Sequence, residues 1–150
     1  MKTLLMIALL LAGCGGKSSP AGPDAGEVID CSSDARVFTY TAGMTVASAS
    51  KALNFTLVQS TPGPPAKGND TWTLKVTDAS NQAQANLSLS VLPFMPDHGH
   101  GTSVNASITN NHDGTYTVAP LYFFMPGVWK VTFTSASPAD SAVYFFCVPG

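Results

Sequence analysis

Short stretches of this chain alternate apolar and polar residues with a period of two, and clusters of Gly, Pro, Asn and Asp separate them. Trp72, Leu74 and Val76 fall on one side of an extended segment, with Thr73, Lys75 and Thr77 on the other. Leu87, Leu89 and Val91 alternate with Ser88 and Ser90; Val104, Ala106 and Ile108 with Asn105, Ser107 and Thr109; Trp129, Val131 and Phe133 with Lys130, Thr132 and Thr134. Successive side chains of a strand point to opposite faces, so each segment predicts an antiparallel strand with one buried and one wet face. Turn residues punctuate them: Pro62-Gly63-Pro64-Pro65 and Gly68-Asn69-Asp70 before the Trp72 strand, residues 78–81 after it, Asp113-Gly114 as a hairpin turn, and Met125-Pro126-Gly127 before Trp129. No helical periodicity lasts beyond a turn. About seven or eight strands at this spacing predict an all-β fold, a single immunoglobulin-like antiparallel β-sandwich.

The first residues lie outside that pattern. Met1-Lys2, an apolar run over residues 4–11 and the small pair Ala12-Gly13 read as a secretory signal over residues 1–13. The run is too short to cross a bilayer, which takes about 20 apolar residues. Leu11-Ala12-Gly13-Cys14 resembles the bacterial lipobox, which implies a lipidated Cys14 as the mature N-terminus and a membrane as its partner. Each buried acyl methylene contributes about 0.8 kcal/mol, so two or three chains make a lasting anchor. Gly15 stands where Asp would mark retention in the inner membrane, which favours the outer membrane. The rest of 14–30, GGKSSPAGPDAGEVID, is small, polar and Pro-rich, a tether with an r.m.s. reach of roughly 20–25 Å. Residues 31–150 are then the domain.

With Cys14 assigned to lipid, Cys31 and Cys147 remain, one at each end of that domain. An even pair in an exported chain predicts a disulfide, and no CxxC spacing supports a two-cysteine metal site. Charged residues make up 11% of the chain and the net charge is −2, so the basic footprint that nucleic acid requires is missing. An enzyme is not expected either. There is no G-x-S-x-G motif, no oriented serine for a triad, and three histidines fall short of a dismutase-like or zinc-hydrolase set.

Chemistry concentrates in Met95-Pro96-Asp97-His98-Gly99-His100-Gly101. On an extended segment His98 and His100 project to the same side about 6.5–7 Å apart, close enough to converge on one ion. Phe94-Met95-Pro96 recurs as Phe124-Met125-Pro126, each after a strand and before a turn. If the two turns share one end of the sandwich, Met95 and Met125 join the imidazoles, and thioether with imidazole is a donor set for Cu(I). Met44 is an additional thioether. Parity opposes the full set: on an unbroken strand Met95 faces away from both histidines, and only a bend at Pro96 reunites them. Methionines beside phenylalanines are also ordinary core fillers, and His112 reads as a solvated turn residue. The alternative is therefore a cell-envelope structural or protein-interaction sandwich without metal.

Four runs, Gly68-Asn69-Asp70-Thr71-Trp72, Pro93 through Gly101, Gly114-Thr115-Tyr116 and Met125-Pro126-Gly127-Val128-Trp129, together resemble the YtkA-like domain, a relative of FixH-type periplasmic domains, over about residues 39–148. The resemblance implies an extracytoplasmic location and an association with copper handling or with the assembly of copper-containing oxidases. It places His98 and His100 at the family's histidine positions and Met95 and Met125 at its methionine positions. Asp97 stands where many relatives carry a small residue or Met, so this chain lacks one further sulfur.

Overall fold

The computed structural model describes residues 30–150. The signal read over residues 1–13, the lipidation read at Cys14 and the tether up to residue 29 lie outside the described residues. Nine strands follow in order: β1 (Met44–Ala47), β2 (Leu53–Thr61), β3 (Gly68–Asp78), β4 (Leu89–Met95), β5 (His100–Gly101), β6 (Ser107–Asn110), β7 (Thr115–Phe123), β8 (Gly127–Ala136) and β9 (Ala139–Val148). They form a five-stranded sheet, β1-β2-β3-β7-β6, and a four-stranded sheet, β5-β4-β8-β9, with every pairing antiparallel. This is the all-β sandwich that the alternation predicts, with one strand more than expected because two residues after a tight turn pair as β5.

The alternating residues face as expected. Trp72, Leu74 and Val76 of β3 and Trp129, Val131 and Phe133 of β8 are buried. Trp72 meets rings from three other strands: Phe123 on β7, Phe133 on β8, and Tyr144 and Phe146 on β9, with centroids 5.5–6.2 Å away. Its edge-to-face contacts with Tyr144 and Phe146 cross between the sheets, in the geometry aromatic quadrupoles favour. The Tyr144 hydroxyl donates to the Phe55 carbonyl at 2.6 Å and is thus satisfied, whereas the equally buried Trp72 indole nitrogen has no hydrogen-bond partner.

Two stretches differ from the alternation. The segment around Val104 and Ala106 is irregular, and pairing begins only at Ser107, opposite Ala119. Leu87 precedes β4, and its amide is held by the Tyr116 hydroxyl at 3.0 Å instead of a neighbouring strand. Asp113-Gly114 makes the β6–β7 turn as expected, with Gly114 at φ 85° and exposed His112 at φ 65°.

Cys31 and Cys147 form a disulfide across 116 residues of sequence. It pins the segment before β1 to β9, the edge strand of the smaller sheet. Closing so long a loop is worth about 2–5 kcal/mol in a small domain. The double variant Cys31→Ser/Cys147→Ser is expected to lose stability in that range, read as a lower urea midpoint with an unchanged folded spectrum.

Asp70 of β3 is only 1% exposed and accepts from the Ala66 amide at 3.3 Å. The Ser60 hydroxyl stands 3.5 Å from the carboxylate but is 2.5 Å from the Pro62 carbonyl, its better acceptor. Burial pushes this carboxyl up to about 6 despite those donors. A folded-state pKa above the unfolded value means that the native state binds more protons between the two. This contribution is therefore present at low pH and lost as pH rises through about 6. Urea midpoints at pH 5 and pH 7 are expected to show a stability component of about 1–3 kcal/mol that falls with rising pH and disappears in Asp70→Asn.

Candidate metal centre

The run that carries both histidines is a tight reversal. β4 ends at Met95, residues 96–99 turn, and β5 runs back along it with Met95 opposite His100 and Phe94 opposite Gly101. The Met95 carbonyl accepts from the amides of His98 (3.2 Å) and Gly99 (2.9 Å), and Gly99 takes the left-handed conformation at φ 70°. Pro96 allows this because its ring suits a turn and ends the strand. The parity that separates Met95 from the histidines on a straight strand therefore does not apply. Residues directly opposite in an antiparallel pair share a face, so the reversal returns His100 to the side of Met95.

Gly127, the first residue of β8, closes the group from the other turn. A Cβ at this position would lie 2.7 Å from Met95 Cε and 3.9 Å from His98 Nε2. The thioether methyl and the imidazole edge thus both come within 4 Å of one point, a space that only a residue without a side chain leaves open. Gly127 also has φ 132°, a conformation that residues with a Cβ rarely adopt.

The rings of His98 and His100 lie 5.7 Å apart between centroids, inclined by 50°. Imidazoles sharing one ion at about 2.0–2.1 Å per bond set their centroids about 5–6 Å apart, so the pair fits a common ion. Nδ1 of His100 is 3.2 Å from the Gly101 carbonyl, which can only accept; with the proton on Nδ1 the lone pair lies on Nε2. The other face of His100 stacks on Phe124 at 5.6 Å, and Phe124 packs edge-on against Trp129 at 5.7 Å. Both histidines are exposed, while Met95 is fully buried beneath them. The result is an open pair of nitrogen donors on a turn that a buried methionine precedes.

Met125 lies in the turn that leads into Gly127, half-buried against the core, and its carbonyl accepts from the Trp129 indole at 3.0 Å. That bond shapes the turn carrying Gly127; the contacts that draw the cluster together run through Met95, His98, His100, Phe124 and Gly127. Met44 sits on β1 at the far edge of the five-stranded sheet, apart from this group. Among the described residues no three His, Cys, Asp or Glu side chains gather as a metal-holding group. A metal here would therefore rest on imidazole and thioether.

Asp97, at the tip of the turn, is held by Arg36. The guanidinium donates to both carboxylate oxygens, at 2.8 and 2.7 Å, and lowers the Asp97 pKa from its ordinary value. Arg36 is itself gripped by Asp34, at 2.9 Å through Nε and 2.6 Å through Nη2, which brings the Asp34 carboxyl down to about 2. Sequence reasoning missed three residues of this arrangement. Phe124 and Gly127 stood inside the repeated Phe-Met-Pro and turn motifs, read there for their neighbours. Arg36, 61 positions from its partner, carried no local signal.

The model of the YtkA-like family matches residues 47–134, a span that holds both histidines, Met95, Met125, Phe124 and Gly127 but neither Arg36 nor the disulfide cysteines. No curated protein and no solved structure matches the chain. The matched span covers more than half of the chain, from the end of β1 to within β8, and the chain belongs to the YtkA-like family.

Proposed function

We propose that this is a lipid-anchored extracytoplasmic protein that binds copper and passes it to a partner in the cell envelope. His98 and His100 are the ligands, Met95 the soft donor beneath them, and Met125 a second thioether at the same end of the sandwich. The observation that carries this reading is the pair of imidazoles held 5.7 Å apart on the turn that follows the buried Met95, with His98 Nε2 and the Met95 methyl bordering one space over Gly127. Thioether and neutral imidazole suit Cu(I), and a centre with both histidines exposed suits a protein that must hand its ion on. The lipobox-like Leu11-Ala12-Gly13-Cys14 supports the anchor, and the family's association with copper handling agrees with the donor set.

A second reading, an envelope interaction module without metal, draws on Leu92, which is 61% exposed on β4 beside this site. Metal linkage separates the two. An ion bound only by the native state raises the melting temperature by mass action, whereas an interaction module is indifferent to it.

The deciding experiment is a Cu(I) titration of the full chain against a chelator of known affinity. Stoichiometric binding is expected, weakened by at least about 100-fold in His98→Ala/His100→Ala, since even outer-shell changes cost 10–100-fold. Equal affinity in the wild type and the double variant would overturn the copper reading. Gly127→Ala keeps both imidazoles but pushes a methyl group against Met95 and strains the backbone. A loss of about 1–3 kcal/mol in stability and a roughly tenfold weaker Cu(I) affinity are expected, measured by urea unfolding and the same titration.

A further inference from the structure

We propose that Arg36 sets the ion selectivity of this centre: by occupying both oxygens of Asp97 it leaves a neutral donor set that takes a soft monovalent ion, Cu(I) or Ag(I), in preference to a divalent ion such as Zn(II). The inference rests on the metal reading of His98 and His100 and adds a residue to it. Asp97 is the only carboxylate in the run from Met95 to Gly101, and it adjoins His98. Released, it would turn two imidazoles and a thioether into two imidazoles and a carboxylate, a familiar zinc donor set with a harder anionic member.

The geometry opposes that release. Arg36 engages Asp97 through Nη1 and Nη2, one nitrogen to each carboxylate oxygen, in the two-pronged arrangement that a planar guanidinium makes and an ammonium does not. The guanidinium cannot swing freely, because Nε and Nη2 are also bound to the two oxygens of Asp34. Asp34 is in turn fixed by backbone: its amide donates to the Cys31 carbonyl at 3.2 Å, and its carbonyl accepts from Val37 at 3.0 Å. Cys31 is tied to β9 by the disulfide. A chain of covalent and hydrogen bonds therefore runs from the core to the tip of the histidine turn and ends by capping its one hard donor.

The test compares Cu(I) and Zn(II) affinities of the full chain, each against a competing chelator, in the wild type, Arg36→Gln, Asp97→Asn and the double variant. Arg36→Gln is expected to bind Zn(II) about 2- to 5-fold more tightly, a size set by the loss of one exposed ion pair, with Cu(I) affinity changed by less than about twofold. Asp97→Asn and the double variant are expected to keep the weak Zn(II) binding of the wild type, because the gain needs a free Asp97. If Arg36→Gln does not fold, Arg36→Lys, which keeps the charge but loses the fork, serves in its place with an expected gain of about twofold. Unchanged Zn(II) affinity after Arg36 is replaced, or an equal gain in the double variant, would overturn the role of Arg36 while leaving the copper site intact. A wild type without histidine-dependent Cu(I) binding would overturn both.

Discussion

The sandwich depends on the insertion of Trp72 between its two sheets. It is the largest side chain on β3, fully buried, and it meets aromatic rings from β7, β8 and β9. A side chain of this kind removes roughly 150–250 Å² from water and makes geometry-specific ring contacts besides. It therefore does in one position what several aliphatic residues would do diffusely. The contacts also propagate. Phe123 touches Trp72 and packs on Trp129 at 5.1 Å, Trp129 packs on Phe124, and Phe124 stacks on His100. An unbroken series of ring contacts thus joins the centre of the core to one of the two exposed imidazoles, so the orientation of His100 is inherited from core packing and does not rest on the loop alone.

The other imidazole is positioned differently. His98 sits on the turn itself, its amide donating a hydrogen bond back to the Met95 carbonyl, and is bordered by the open space over Gly127. Its neighbour Asp97 is bound by Arg36. One histidine is thus buttressed from the core side and the other from the segment before β1, with the Met95 thioether beneath the turn. Two exposed rings held 5.7 Å apart need such independent supports, because exposure removes the packing that would otherwise fix them.

How much of this the chain announces in advance depends on the range of the interaction. Period-two alternation is local, and the buried sets Trp72, Leu74, Val76 and Trp129, Val131, Phe133 followed directly from it. The disulfide was legible from cysteine parity, one cysteine standing at each end of the predicted domain. The alternation around Val104 did not become a strand until Ser107, since alternation says which face a residue takes but not whether a neighbouring backbone is there to pair with. The histidine turn was half legible. Pro96 and the glycines marked a bend, but the tight reversal that sets Met95 opposite His100 depends on β5 finding its register against β4. Arg36 was not legible at all, because an ion pair spanning 61 residues leaves no periodicity and no motif.

The direction in which the site faces follows from the same end of the sandwich. Gly127, which opens the space beside Met95 and His98, is opposite Val148 in the β8–β9 ladder, and the next residue, Val128, is opposite Cys147. Cys147 holds Cys31, one residue from where the described domain begins. The chain therefore enters the domain at the end that carries the histidines. If the proposed lipid anchor is attached at Cys14, it joins the domain at this end.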